Sequence, residues 1–344
     1  MRACACGPPK ITLALTIAVT AVRTNPVMPS PAFLEVGFAG MPILGSRGCC
    51  SIWQTARGRT SGSQPMTAIA TVTGLFVYPL KSARGIACPR VRLGVTGFEA
   101  DRRWMLVNAE GVFLSQRTHP QLACIVPQLD GNEVVLDAPG LPPLRLQGRC
   151  SGERLFVRVH QDRCVGLDEG TEAAEWASRA AGEAVRLVRV PAHPERWANP
   201  TFAGTTPAPM GFADGFPVLV CNVASLEELN RRLPAGIPME RFRPNLVLEG
   251  LPAWAEDRID TLTIGEVTLR LVKPCLRCTI PSIDQRTGQP SIDPAPALRQ
   301  FRFDKLLRGV KFGENAVIVT GATREIERGT TCRVDFEPTS SGAL

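Results

Sequence analysis

Two cysteines three residues apart, Cys275 and Cys278, lie in the run Lys273-Pro-Cys-Leu-Arg-Cys-Thr-Ile-Pro-Ser-Ile-Asp-Gln-Arg-Thr-Gly288. Such a pair suits a metal site, a redox couple or a disulfide; the plain alternative is two buried thiols near a strand end. Arg277 between them gives a thiol a reason to ionise near neutral pH, because a cation favours the charged form. Three further polar clusters fall at predicted strand ends: Tyr78-Pro-Leu-Lys81-Ser82, Glu99-Ala-Asp101-Arg102-Arg103 and Arg241-Phe-Arg243-Pro-Asn245. Guanidinium and ammonium groups gathered this way bind phosphate or carboxylate, arginine bidentately and lysine as a point charge. Taken alone, each cluster reads as solvated loop charge; only convergence in space would make a site.

Other chemistry finds less support. His119, His160 and His193 are the only histidines, none at helical spacing from another ligand type, and they read as surface or loop residues. Cys88, Cys124, Cys150, Cys164, Cys221 and Cys332 are isolated, so zinc and iron–sulfur sites lack a second close pair of thiols. A thioredoxin-like pair opens a helix, whereas Thr279-Ile280-Pro281 reads extended. No G-x-S-x-G elbow supports Ser/His/Asp hydrolysis. What remains is a soft thiolate among cations, able to hold an anionic cofactor with a thiophilic metal such as molybdenum.

The elements that must position these residues are mostly strands. The apolar run Val267 to Val272 reads as a strand that Pro274 ends, leaving the cysteines where backbone departs from a sheet edge. Ala68 to Tyr78 is a strand halted by Pro79, and Arg103 to Val107 turns at Asn108-Ala-Glu-Gly111 into a hairpin partner, Val112 to Leu114. Short runs at 91–93, 125–129, 133–136, 144–146, 154–159, 185–190, 216–221, 245–248, 262–264, 316–320 and 331–336 continue the pattern. Helices are predicted over Thr171–Ala181, with Thr171 as N-cap and Gly182 beyond its end, over Ser225–Leu233 with a Ser225/Glu228 capping box, and over Ala297–Leu307. Pro191 to Gly211 reads as a long polar loop. The class is mainly β with a few helices (α+β), and no Gly-rich phosphate loop supports a doubly wound nucleotide-binding fold.

A net charge of +7 with 6% aromatics and no Lys/Arg block excludes a dedicated nucleic-acid binder and favours a local basic pocket for an anionic small molecule. Twelve cysteines over 344 residues are too few for a disulfide scaffold and suit a reducing compartment. Residues 1–65 look foreign to the rest. The apolar run Ile11 to Val22 is too short to span a bilayer, no clean cleavage site follows, and residues 23–65 cannot bury a core. A mis-assigned start with Met66 as the true first residue, a targeting segment and a disordered arm all fit. The expected location is cytoplasmic without a stable membrane span, or membrane-associated or exported if residues 1–65 are a real targeting segment.

From Thr67 to about Glu337 the chain resembles MOSC-domain proteins with an N-terminal MOSC β-barrel, the group of the mitochondrial amidoxime-reducing component and its bacterial relatives. The matching stretches are Tyr78-Pro-Leu-Lys-Ser82, Asp101-Arg-Arg-Trp104, Phe242-Arg-Pro-Asn245, Cys275-Leu-Arg-Cys278 with Asp284-x-x-Thr-Gly288, and Phe312-Gly-Glu-Asn315. The resemblance implies an N-terminal module over 66–190 packed with a β-barrel-like MOSC domain over 191–340. It implies a molybdenum cofactor ligated by the second thiol, Cys278, and contacted by Lys81, Ser82, Arg102, Ala213, Asp214, Gly215, Arg243, Arg277 and Asn315. Asp214 stands where the family has an acidic residue close to the metal, as a proton relay. Ala213 and Gly215 lack hydroxyls that relatives carry there, and Asn315 replaces an aromatic of the mitochondrial members. The implied activity is reduction of N-hydroxylated compounds, amidoximes and hydroxylamines. Some bacterial relatives carry a C-terminal ferredoxin domain and this chain shows none, so a separate ferredoxin- or cytochrome-b5-type electron donor is implied. The alternative is a carrier of molybdenum cofactor or sulfur without its own redox turnover.

Overall fold

The computed structural model describes residues 66–148 and 152–338. Expectations about residues 1–65 and about Cys150 lie outside the described residues. The longer elements, in chain order, are β1 (Thr67–Val77), β2 (Trp104–Val107), β3 (Val126–Asp130), β4 (Glu133–Asp137), β5 (Leu144–Gln147), β6 (Arg154–Val159), β7 (Asp162–Asp168), α1 (Thr171–Ala181), β8 (Arg186–Arg189), α2 (Pro200–Ala203), β9 (Val218–Asn222), α3 (Val223–Asn230), β10 (Leu246–Glu249), β11 (Ile259–Ile264), β12 (Val267–Leu276), α4 (Ala295–Phe301), β13 (Gly309–Thr320) and β14 (Thr331–Phe336). The chain is mainly β, as its pattern predicts.

Seven strands close into a barrel in the order β9-β10-β1-β14-β11-β12-β13, and β13 pairs back onto β9. Closure leaves no free edge in this sheet. Alternating apolar residues such as Val72, Leu248, Leu262, Leu269 and Val334 fill one core. Strand β1, which the sequence groups with the first module, lies inside this barrel between β10 and β14. The intervening chain builds a four-stranded sheet, β2-β8-β7-β6, and a meander, β3-β4-β5. Trp104, Leu106, Trp176, Ala177 and Leu187 belong to a second core between strands and α1.

Several local expectations need correction. Strand β12 runs through Pro274 to Leu276 and does not stop before it. Its pairing with β13 shifts register between Leu271 and Lys273 and again between Pro274 and Leu276. Such irregularities are where a sheet tolerates a residue without an N–H, and they re-aim the side chains beside them. Helix α1 starts at Thr171 behind Gly170, so Thr171 is not its cap, while Gly182 closes it in the left-handed conformation. Helix α3 is capped by Asn222, and Ser225 sits one turn inside, hydrogen-bonded to the Glu256 carboxylate at 2.7 Å, so the capping box does not form. Helix α4 ends at Phe301, and Phe303-Asp304 then pairs with β13. The 191–211 loop contains α2 and a short antiparallel pair, Arg196–Trp197 with Pro209–Met210. Phe113 makes a single bridge to Val107 where a hairpin strand was predicted.

Barrel closure depends on Gly313. Its φ is +76°, and a Cβ there would lie 2.6 Å from Cys221 Sγ and 2.8 Å from the Val220 carbonyl oxygen. Gly313→Ala therefore combines left-handed strain with overlap against β9, and a loss of about 2–4 kcal/mol is expected in urea unfolding. A change below about 0.5 kcal/mol would show that the β9–β13 seam is not tightly closed.

Candidate functional site

The three clusters converge. Lys81, Ser82, Arg102, Ala213, Asp214, Gly215, Arg243, Arg277, Cys278 and Asn315 all line one cavity of about 280 Å³. Tyr78 and the Lys81-Ser82 turn follow β1, Arg102 precedes β2, Arg243 precedes β10, and the cysteines end β12. Backbone hydrogen bonds from Lys81 N to Trp104 O (2.8 Å), Arg102 N to Tyr78 O (2.8 Å) and Phe212 N to Arg102 O (3.0 Å) lash these segments together. Ser82, Arg102 and Arg243 have φ of 71°, 44° and 56°. Non-glycine residues in the left-handed region cost of order 1–3 kcal/mol each and persist where the surroundings over-determine them.

Each guanidinium is held by short-range acceptors. Arg102 donates to Asp101 Oδ2 (2.6 Å), Asn245 Oδ1 (3.2 Å) and the Arg243 carbonyl oxygen (3.2 Å). Burial opposes its charge, but Asp101, with Tyr78 and Asp214 adding to it, together outweigh burial and hold its pKa above the ordinary value. Arg243 donates to the Ala83 carbonyl (2.7 Å) and to Gln285 Oε1 (3.3 Å). It has no such carboxylate, and burial, aided by repulsion from Arg102, lowers its pKa to about 10. Both guanidiniums lie 4.3 Å from the ring centroid of Tyr78, the only tyrosine of the chain. Tyr78 is 1% exposed, its hydroxyl has no partner, and burial pushes its pKa upward, so the phenol stays neutral.

The two thiols are not equivalent. Cys278 is exposed, whereas Cys275 is partly buried and packs with a core beneath the pocket. Arg277 Nη1 donates to Cys275 Sγ at 2.9 Å, and Nη2 donates to the Phe242 carbonyl at 2.7 Å. Burial raises the Cys275 pKa by more than Arg277 lowers it. The guanidinium thus does not produce an ionised thiol at Cys275, contrary to what adjacency predicts. Arg277 Nε is buried without a partner. Asn315 Nδ2 donates to the carbonyl of Lys273 (3.2 Å), steadying the irregular stretch of β12.

Asp214 is the only acidic residue in the lining, against Lys81, Arg102, Arg117, Arg243, Lys273 and Arg277. Its side chain is 68% exposed and is hydrogen-bonded by Lys81 Nζ. The surrounding protein partly desolvates it, but the Lys81 ammonium, then a bond with His160, outweigh that and hold its pKa well below the usual carboxylate range. The cavity is therefore a strongly positive recess with an exposed thiol at its wall, matched to an anion that also offers a soft metal. Among the described residues no three of His, Cys, Asp and Glu gather as a metal cluster, so a metal here would need to bring further ligands with it.

Sequence patterns miss several contributors. Phe113, Arg117 and Lys273 also line the cavity. Gln116 and Gln285 exchange two 2.9 Å hydrogen bonds beneath Arg243 and are almost fully buried. The Asp284-x-x-Thr-Gly288 turn, in which Asp284 Oδ1 accepts from the Arg286 and Thr287 amides, carries Gln285 there. His160 is an exposed turn residue, as the sequence predicts, and it also lies 3.1 Å from Asp214 Oδ1, a contact no spacing signals.

Comparison with known proteins fits this geometry. The MOSC N-terminal beta barrel domain model matches residues 69–184, and the MOSC domain model matches residues 207–334. The chain belongs to the MOSC-domain proteins that carry an N-terminal MOSC barrel domain. Within that family it is homologous to mitochondrial amidoxime-reducing components. It is 30% identical to human component 1 over 284 residues, covering 79% of this chain and 83% of the relative. It is 30% identical to rat component 2 over 250 residues, covering 69% and 72%. The bovine molybdenum cofactor sulfurase is 30% identical over 263 residues, covering 70% of this chain but 29% of the relative.

The unequal thiols give a direct test. Peptide-resolved alkylation with iodoacetamide at pH 7.5 is expected to modify Cys278 at least about tenfold faster than Cys275. Labelling of Cys275 should rise as pH increases, because its raised pKa delays thiolate formation. Equal rates would contradict the described burial.

Proposed function

We propose that this protein is a molybdenum-cofactor oxidoreductase that reduces N-hydroxylated compounds such as amidoximes and hydroxylamines with electrons from a separate donor. The observation that carries the reading is the exposed Cys278 thiol in a recess with six cations and one carboxylate. A pterin dithiolene with a phosphate tail is anionic and carries a thiophilic metal, which is the chemistry this recess complements. Lys81, Arg102, Arg243 and Arg277 would neutralise and orient it, and Cys278 would ligate the metal. The cofactor would supply the two-electron redox centre for cleaving an N–O bond.

The chain's own residues define the remaining tasks. The fixed guanidiniums hold an anion without reorganising when it arrives, since Asp101, Asn245, Gln285 and backbone carbonyls already set their directions. Phe113 and Phe216 give the recess apolar walls that limit water. Asp214 sits on the open side with a proton-bearing partner on each flank, Lys81 and His160. Ala213 and Gly215 leave space beside it, and substrate breadth would follow from their small size. No helix among the described residues is long and apolar enough to cross a membrane.

A second reading has its own support: the match to molybdenum cofactor sulfurase spans 70% of this chain. On that reading the same recess holds cofactor or sulfur for delivery elsewhere. Protein purified from a cofactor-synthesising host separates the two. The reductase reading expects near-stoichiometric molybdenum and benzamidoxime reduction with reduced methyl viologen. Cys278→Ser should lose molybdenum and at least about 100-fold in activity, and Cys275→Ser should keep a measurable part of both. Metal without reduction would favour the carrier, and identical behaviour of the two variants would refute Cys278 as the ligand.

A further inference from the structure

We propose that His160, Asp214 and Lys81 form a proton relay from solvent into the recess, with Lys81 as the group that delivers the proton and His160 as the solvent-side supplier. This rests on the reductase reading and adds to it a residue, His160, and an order of transfer. His160 occupies the two-residue turn between β6 and β7, so the N-terminal half of the chain supplies it to a cavity built largely at the barrel mouth. Its φ is +56°, a backbone region that histidine is among the side chains to tolerate. The ring packs edge-on against Phe113 at 4.9 Å, and Lys81 Nζ lies 4.8 Å from the same phenyl centroid.

Both donors meet one oxygen. His160 Nε2 is 3.1 Å from Asp214 Oδ1, and Lys81 Nζ bonds that same atom as well as the Phe212 carbonyl at 2.9 Å. A carboxylate only accepts, so the hydrogen of this His160 contact resides on Nε2. The His160 side chain is 39% exposed, Asp214 68% and Lys81 6%, so His160 and Asp214 both reach solvent while the Lys81 ammonium is buried; Lys81 and Asp214, not His160, line the cavity. Imidazole is the side chain that readily takes and gives a proton near neutral pH.

The order of transfer follows from charge. Reduction of R–NH–OH by two electrons from a viologen-type donor, with two protons, gives R–NH2 and water, so two protons must enter per turnover. Burial lowers the Lys81 pKa, which favours its acting as an acid toward the departing oxygen. Once Lys81 is neutral, the chief influence depressing the Asp214 pKa is gone. His160 takes a proton from water at Nδ1, the imidazolium passes its Nε2 proton to Asp214, and Asp214 hands it to Lys81; the ring regains its Nε2–H form by exchange with water. A second pass supplies the second proton.

The test uses full-length cofactor-loaded protein and benzamidoxime with reduced methyl viologen. His160→Gln keeps a donor toward Asp214 but cannot shuttle a proton. Its kcat should fall about 10- to 100-fold, with KM and molybdenum content within about twofold of the parent. Imidazole added to His160→Ala should restore kcat by at least about threefold. In cofactor-free protein, ring 15N spectra should show His160 with hydrogen on Nε2, and Asp214→Asn should shift that signal. An unchanged kcat in His160→Gln, parallel loss of molybdenum, no imidazole rescue, or an Nδ1–H ring would each overturn the relay. Failure of the reductase reading would appear separately, as a parent protein without molybdenum or without benzamidoxime reduction.

Discussion

Concentrated positive charge at a barrel mouth is the constraint that organises this protein. Arg102, Arg243, Arg277 and Lys81 are drawn into one small recess where burial penalises each charge. Two carboxylates, Asp101 and Asp214, lie among them, and neither serves Arg243 or Arg277 directly. A buried charge without a counter-charge is strongly destabilising unless polar groups satisfy it. Here backbone carbonyls of Ala83, Phe242 and Arg243, the amides Asn245 and Gln285, and the face of Tyr78 take that part. The arrangement holds the cations in place and leaves Arg243 and Arg277 without a carboxylate partner, which is a condition for binding an anion.

Holding those partners in register explains otherwise odd local choices. Three residues of the recess adopt left-handed backbone because the chain must reverse just as it leaves or enters a strand. Strand β12 is irregular on both sides of Pro274, which sets Cys275 inward against Arg277 and Cys278 outward. Gly288, with φ +69°, lies where a Cβ would meet the Pro120 carbonyl at 2.8 Å, so the turn bearing Gln285 seats directly on the N-terminal half. The cavity wall is thus shared. The barrel supplies the thiol, Arg243, Arg277 and Lys273, and the chain between β1 and β9 supplies Lys81, Arg102, Phe113, Arg117 and the Asp214 segment.

Much of this was legible in the residues. Period-two alternation located most strands, and the cationic clusters at strand ends belong to the recess. Their convergence was not legible, because barrel closure brings together segments more than 150 residues apart through pairings that no local pattern specifies. The Pro274 stop failed because a register shift removed the need for an N–H. The Ser225 capping box failed because Asn222 was the better-placed cap and Glu256 claimed the serine hydroxyl. His160 was passed over because a lone histidine in a turn carries no spacing signal, and its meaning lies in Asp214, 54 residues away in sequence.

The proposed role of the recess is to seat a thiol-ligated, anionic molybdenum group. Anomalous diffraction at the molybdenum edge, on crystals of protein isolated from cofactor-synthesising cells, addresses it most directly. A single peak within bonding distance of Cys278 Sγ, among Lys81, Arg102, Arg243 and Arg277, is the predicted result. A peak on Cys275, a peak outside the recess, or none in protein from cells shown to load other molybdenum enzymes would contradict it.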